Sequence, residues 1–142
     1  MAQRTLLVGF AHPDDEVGAA GTILAQRARG DRVVLVWLTH GEMTEAFGCI
    51  SQAEVAAIRL EHARQAGDIL GCETHVLDMP DCGVESTPAS ARRVAELITE
   101  IKPDGIVTWG DAWARGMRHP DHQATGRIFR DAVTLARIAK VV

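Results

Sequence analysis

At 142 residues the chain has the length of one domain, enough to bury roughly two-thirds of the surface its unfolded form exposes. Charged residues make up 24% and hydrophobic ones 46%, which excludes a disordered chain, and a net charge of −4 offers no basic surface for nucleic acid or an anionic membrane. Small molecules are therefore the expected partners, and three cysteines (Cys49, Cys72, Cys82), odd in number and without C-x-x-C spacing, predict reduced thiols in a cytoplasmic protein.

Met1 to Arg4 leads straight into an apolar strand over 5–10, with neither a signal-peptide core nor a membrane-spanning run. An Ala-rich helical pattern over 17–29 follows, closed by Gly30-Asp31; within it Gly18 to Gly21 reads as a close helix–sheet contact, not a dinucleotide-binding glycine loop. Residues 32–38 form a second apolar run, and both runs read as strands covered on two faces. Ser51-Gln52-Ala53-Glu54 is a capping box opening a helix to Leu70, with Gly71 as its stop. A third strand is expected over 74–77, and Thr87-Pro88 begins a helix to Ile101 that must close before Pro103. A fourth strand over 105–109, a loop and a helix over 120–137 complete the chain.

This alternation predicts a single domain over 1–142 with an α/β, Rossmann-like three-layer fold, a mostly parallel sheet and right-handed crossovers. Ligands of such sheets bind beyond the strand C-terminal ends, where the strand order reverses. With the expected order 3-2-1-4, strands one and four are neighbours, and the loops leaving them carry the two clusters that bear chemistry. These are His12-Pro13-Asp14-Asp15-Glu16 and His119-Pro120-Asp121-His122, each at a predicted helix start. Residues three apart at a helix start can point the same way, so His12 and Asp15 can grip one ion while Asp14 faces elsewhere, and His122 supplies a third ligand from the other loop. Two imidazoles and a carboxylate leave room for water, as an open zinc site requires, although the same set also suits non-haem iron. Asp14 is then placed as general base, His119 as acid or oxyanion group, and Asp121 as the group orienting His119. Singly, either cluster could be a plain helix cap. Two of them at strand exits expected to adjoin are hard to explain as independent caps.

These residues resemble the LmbE-like or PIG-L zinc-dependent de-N-acetylases. The A-H-P-D-D-E signature matches Ala11 to Glu16, and the later H-x-D-H matches His119 to His122. Thr39-His40-Gly41-Glu42, Arg59 with Leu70-Gly71, and Pro80-Asp81-Cys82-Gly83 are similar to three weaker family motifs. The resemblance implies zinc held by His12, Asp15 and His122, with Asp14 as base, and an N-acetylated amino sugar or its conjugate as substrate. It makes Arg59 and Asp81 candidate substrate contacts, each also readable as a salt bridge or turn residue; Glu42 is a further substrate-binding candidate, readable as a support behind the site or as a plain loop residue. The chain departs from the family pattern at His62, where Glu is usual, and in reading Asp-Cys-Gly where Asp-Gly is usual. Family members are commonly longer, so truncation at the C-terminus, a minimal member or completion by a partner is expected, and an incomplete sheet edge near strand four would favour a homo-oligomer.

Trp109 reads either as core or as part of a sugar-stacking platform, and Trp113, in the polar loop 110–118, is the better platform candidate. Two other functions compete. A metal-binding module without catalysis would use the same ligands, and a phosphoryl-accepting signalling domain would use Asp78 as acceptor while leaving His-Pro-Asp-His unexplained.

Overall fold

The computed structural model describes residues 2–110 and 118–142. Four strands, β1 (Thr5–Phe10), β2 (Arg32–Thr39), β3 (Glu73–Met79) and β4 (Gly105–Val107), form one parallel sheet in the order β3–β2–β1–β4. Four helices, α1 (Ala20–Ala28), α2 (Gln52–Leu70), α3 (Pro88–Ile101) and α4 (Pro120–Leu135), alternate with them. The expected order 3-2-1-4 is the one observed, so the loops leaving β1 and β4 adjoin.

Strand periodicity explains the unbroken apolar run of β2. Val34, Val36 and Leu38 point to one face with Leu7 of β1, against Val94 and Ala95 of α3 and Ile128 and Phe129 of α4. Val33, Leu35 and Trp37 point to the other with Val8 and Phe10, against Ile23 of α1 and Ala63 of α2. Both faces are covered, so neither tolerates polar residues. Helix α2 starts at the predicted capping box, with Ser51 Oγ accepting from the Glu54 amide and the Glu54 carboxylate accepting from the Ser51 amide. Thr87 and Ser90 form the equivalent reciprocal cap for α3.

Two glycines let α4 approach the sheet. A Cβ on Gly9 would lie 2.1 Å from the Phe129 ring, and one on Gly126 would lie 2.2 Å from the Trp109 carbonyl oxygen. The second contact also explains why β4 stops at Val107, short of the expected 109. It pairs with β1 only over Leu6 to Val8, and the chain then leaves the sheet to rest its Trp109 carbonyl against α4.

The first helix also departs from expectation. Residues Asp15–Ala19 form a tight 3₁₀ turn and the α-helix proper begins at Ala20, while Asp14, just before the turn, adopts φ 125°, which no helix accommodates. Gly18 and Gly21 are exposed, and a Cβ on either would meet nothing within 4 Å, so they make no close helix–sheet contact. Among the described residues no helix is long and apolar enough to cross a membrane.

Candidate metal centre

Every element of the site lies at the C-terminal ends of the strands. The loop after β1 is tied to the end of β2 by Thr39, whose backbone N–H and Oγ1 both donate to the Ala11 carbonyl, at 3.0 and 2.9 Å. This holds His12 over the sheet. Asp15 is fixed in turn because its Oδ2 accepts from the Ala11 and His12 amides at 3.2 and 2.9 Å. From the other side, α4 delivers His122, whose ring lies flat on Trp109 with centroids 4.1 Å apart. The His12 and His122 centroids are 5.3 Å apart, and His12, Asp15 and His122 each offer an atom within 4.8 Å of the others.

The donor set fits a cation. His122 Nε2 is buried, forms no hydrogen bond of good geometry among the described residues, and lies 3.3 Å from Asp15 Oδ1. Burial lowers the His122 pKa, which favours a neutral ring. Hydrogen bonding to His12 is among the forces that hold the Asp15 carboxyl below its usual range despite burial. A buried imidazole nitrogen and a carboxylate oxygen converging at this distance are donors that a bound divalent ion would satisfy.

His12 sits in a nest of carboxylates. Its Nε2 is 2.8 Å from Asp121 Oδ2 and 3.0 Å from Asp81 Oδ1, and its Nδ1 is 3.5 Å from Asp15 Oδ2. Burial alone would lower its pKa, but hydrogen bonds to Asp15 and Asp121 and the nearby Asp15 and Asp81 charges raise it to about 9.

Asp14 lines a cleft of about 230 Å³ together with His12, Arg59, Asp81, Cys82 and His119. Burial raises its pKa, with Asp15 and Glu16 adding to the shift and Arg59 opposing it. Its φ of 125° lies in the left-handed half of backbone space, a costly place for a non-glycine residue. Glu16, to which sequence alone assigns no role, secures that conformation. Its buried Oε2 accepts from the Asp14 amide at 2.8 Å and from Trp37 Nε1 at 3.2 Å. The signal for it was the closing Glu of the first cluster.

The remaining expected residues divide. Arg59 lines the cleft, but its Nη2 donates to the Pro13 carbonyl and, at 2.9 Å, to Asp14 Oδ2, so its guanidinium braces the first cluster. Asp81 meets His12 with one oxygen and accepts the Met43 amide with the other at 2.8 Å. Glu42 stands one step further back, its Oε1 accepting from the Asp81 amide at 2.9 Å. His119 caps α4, and its Nδ1 accepts from the Asp121 amide at 3.1 Å, which leaves its proton on Nε2. The Asp121 carboxylate is expected to orient His119. It lies 3.9 Å from that ring and accepts from the Cys82 and Val84 amides at 2.8 and 3.2 Å. Cys82 adopts φ 63°, the backbone consequence of reading Asp-Cys-Gly at this turn. Trp109 is a packing residue, 5.0 Å from the Phe10 ring and stacked on His122. Trp113 lies outside the described residues. Asp78, the acceptor required of a phosphoryl-receiving domain, is exposed and ion-paired with Arg93.

Sequence and fold are both shared with known proteins. The family model described as PIG-L, GlcNAc-PI de-N-acetylase, matches residues 7–133. The diacetylchitobiose deacetylase of Thermococcus kodakarensis is 35% identical over 127 residues, covering 88% of this chain and 47% of the relative. A 1D-myo-inositol 2-acetamido-2-deoxy-alpha-D-glucopyranoside deacetylase of Catenulispora acidiphila is 32% identical over 162 residues, covering 95% and 50%. The solved N,N'-diacetylchitobiose deacetylase of Pyrococcus horikoshii superposes with a TM-score of 0.88 at 27% identity, over 95% of this chain and 51% of that one. The chain thus spans about half the length of the curated relatives it matches.

Proposed function

Because the chain belongs to the PIG-L family of GlcNAc-PI de-N-acetylases, we propose that it is a metal-dependent amidase removing the acetyl group from an N-acetylated amino sugar or its conjugate. The observation that carries this reading is the convergence of the buried His122 Nε2 with Asp15 Oδ1, 3.3 Å away, and His12, with Asp14 on the adjoining cleft. His12, Asp15 and His122 are the ligands, and zinc is the metal, as its family and its mixed nitrogen and oxygen donors favour; iron is the alternative. Bound there, the ion would polarise the amide carbonyl and acidify a water. Asp14, whose pKa is raised by burial, takes the proton of the attacking water. His119 lines the same cleft with its proton on Nε2, positioned to donate to the developing oxyanion or to the departing amine. Arg59 keeps Asp14 directed at the cleft.

The substrate class rests on the relatives, whose names specify acetamido sugars in a disaccharide and in an inositol conjugate. The test is metal content of the purified chain together with amine release from N-acetylglucosamine, diacetylchitobiose and inositol-linked conjugates. Asp14→Asn should keep the metal and lose about 10²–10⁴-fold in turnover. Undiminished turnover would remove Asp14 from its role, and zinc content without amine release from any of these would favour a metal-binding module.

A further inference from the structure

We infer that Asp121 is the positioning residue of His12, holding that imidazole by Nε2 so that Nδ1 is the nitrogen turned toward the ion, and that it does not act through His119. This rests on the ligand set proposed above.

The geometry discriminates between the two histidines. Asp121 Oδ2 is 2.8 Å from His12 Nε2 and 3.9 Å from His119 Nδ1. The longer contact is also of the wrong kind. His119 Nδ1 already accepts a hydrogen bond from the Asp121 backbone amide, so it carries no proton to give, and a carboxylate cannot receive a hydrogen bond from it. His12 Nε2 is the opposite case. Asp121 is 1% exposed, and its two oxygens take the amides of Cys82 and Val84, a setting that fixes an acceptor-only carboxylate. A nitrogen 2.8 Å from such an oxygen must be the donor, and Asp81 Oδ1 at 3.0 Å demands the same. With its proton on Nε2, a ligating His12 offers Nδ1, the atom that faces Asp15.

A carboxylate on the far nitrogen of a ligating imidazole fixes its tautomer and raises its basicity, and removing it typically costs about 10- to 100-fold in metal affinity. Asp121 also fastens residues 82–84 to the start of α4. One buried side chain therefore sets both the ligand and the loop that carries Asp81.

The experiment uses the full chain and zinc alone. In chelator competition, Asp121→Asn is expected to bind zinc about 10- to 100-fold more weakly than wild type, whereas His119→Asn binds it within about twofold while losing turnover. In chelator, without metal, thermal unfolding of single and double variants gives an independent readout. Asp121→Asn with His12→Asn should lower Tm by less than the sum of the single losses, and Asp121→Asn with His119→Asn should be additive. Unchanged zinc affinity in Asp121→Asn, or coupling to His119 in place of His12, overturns the inference. Should Asp121→Asn fail to fold, nitrogen spectra of the zinc-loaded wild type decide, since His12 must carry its proton on Nε2. A wild-type chain that takes up no zinc refutes the ligand reading, while the metal-free coupling still tests the Asp121–His12 pairing.

Discussion

Trp109 lies flat beneath His122, with ring centroids 4.1 Å apart and planes within 15° of each other. The indole packs against Phe10, and the Trp109 backbone carbonyl lies under the close pass of α4 at Gly126. A ligand carried on a helix is only as well placed as the surface it rests on. Trp109→Leu is expected to weaken zinc binding through a loosened His122, and to cost less than the roughly 3–5 kcal/mol typical of truncating a fully buried aromatic. Chelator competition and chemical denaturation measure the two effects, and unchanged zinc affinity would deny Trp109 any part in the site.

Arg59 contacts the Pro13 carbonyl and Asp14, so its loss should disturb the base and not the capture of substrate. Arg59→Gln is expected to lower kcat by about 10- to 100-fold with KM within a few-fold of wild type. A raised KM with kcat preserved would instead make Arg59 a substrate contact.

Glu16 accepts both the Asp14 amide and Trp37 Nε1, and without it two donors lose their partner while Asp14 is freed from its strained backbone. Glu16→Ala should destabilise the protein by about 1–3 kcal/mol through the buried Trp37 donor left unpaired, and reduce turnover, with Glu16→Gln, which keeps an acceptor oxygen, recovering most of both. Equal damage from the two variants would point to a need for charge.

In the metal-free chain the His12 pKa rises from 6.5 to about 9, because hydrogen bonds and charge from Asp15, Asp121 and Asp81 outweigh burial. The folded state then binds the proton more tightly than the unfolded one. Its contribution to stability is complete below pH 6.5 and is lost as pH climbs through 9. Denaturation in chelator should show this decline, and His12→Asn should lack it. Zinc competes with the same proton, so apparent affinity should rise by up to about tenfold per pH unit below pH 9. A flat affinity across that range would mean that zinc displaces no proton from His12.

The sheet order and the meeting of the two His-Pro-Asp clusters were legible because topology alone brings strand exits together, whatever the intervening residues. The caps at Ser51 and Thr87 were legible because they are local. What escaped depends on contacts between distant segments. Asp121 reads as a partner of His119, two positions away, until the loop at 82–84 is seen to supply its amides. Thr108 and Trp109 have strand-forming side chains, yet β4 ends before them because α4 comes close at Gly126. The strained backbone of Asp14 follows from Glu16, Trp37 and Arg59 acting from three elements, which no local pattern records.

The proposed ligands come from the loop after β1 and from α4, with β2, β3 and β4 all lying between them in the chain. A cation shared by His12, Asp15 and His122 would therefore fasten the two ends of the fold much as a long-range crosslink does, closing a loop that contains most of the sheet. Folding and ion concentration would become linked quantities, each tenfold rise in free ion above its dissociation constant adding about 1.4 kcal/mol to the folded state. A cell short of that ion would lose the protein's durability along with its chemistry.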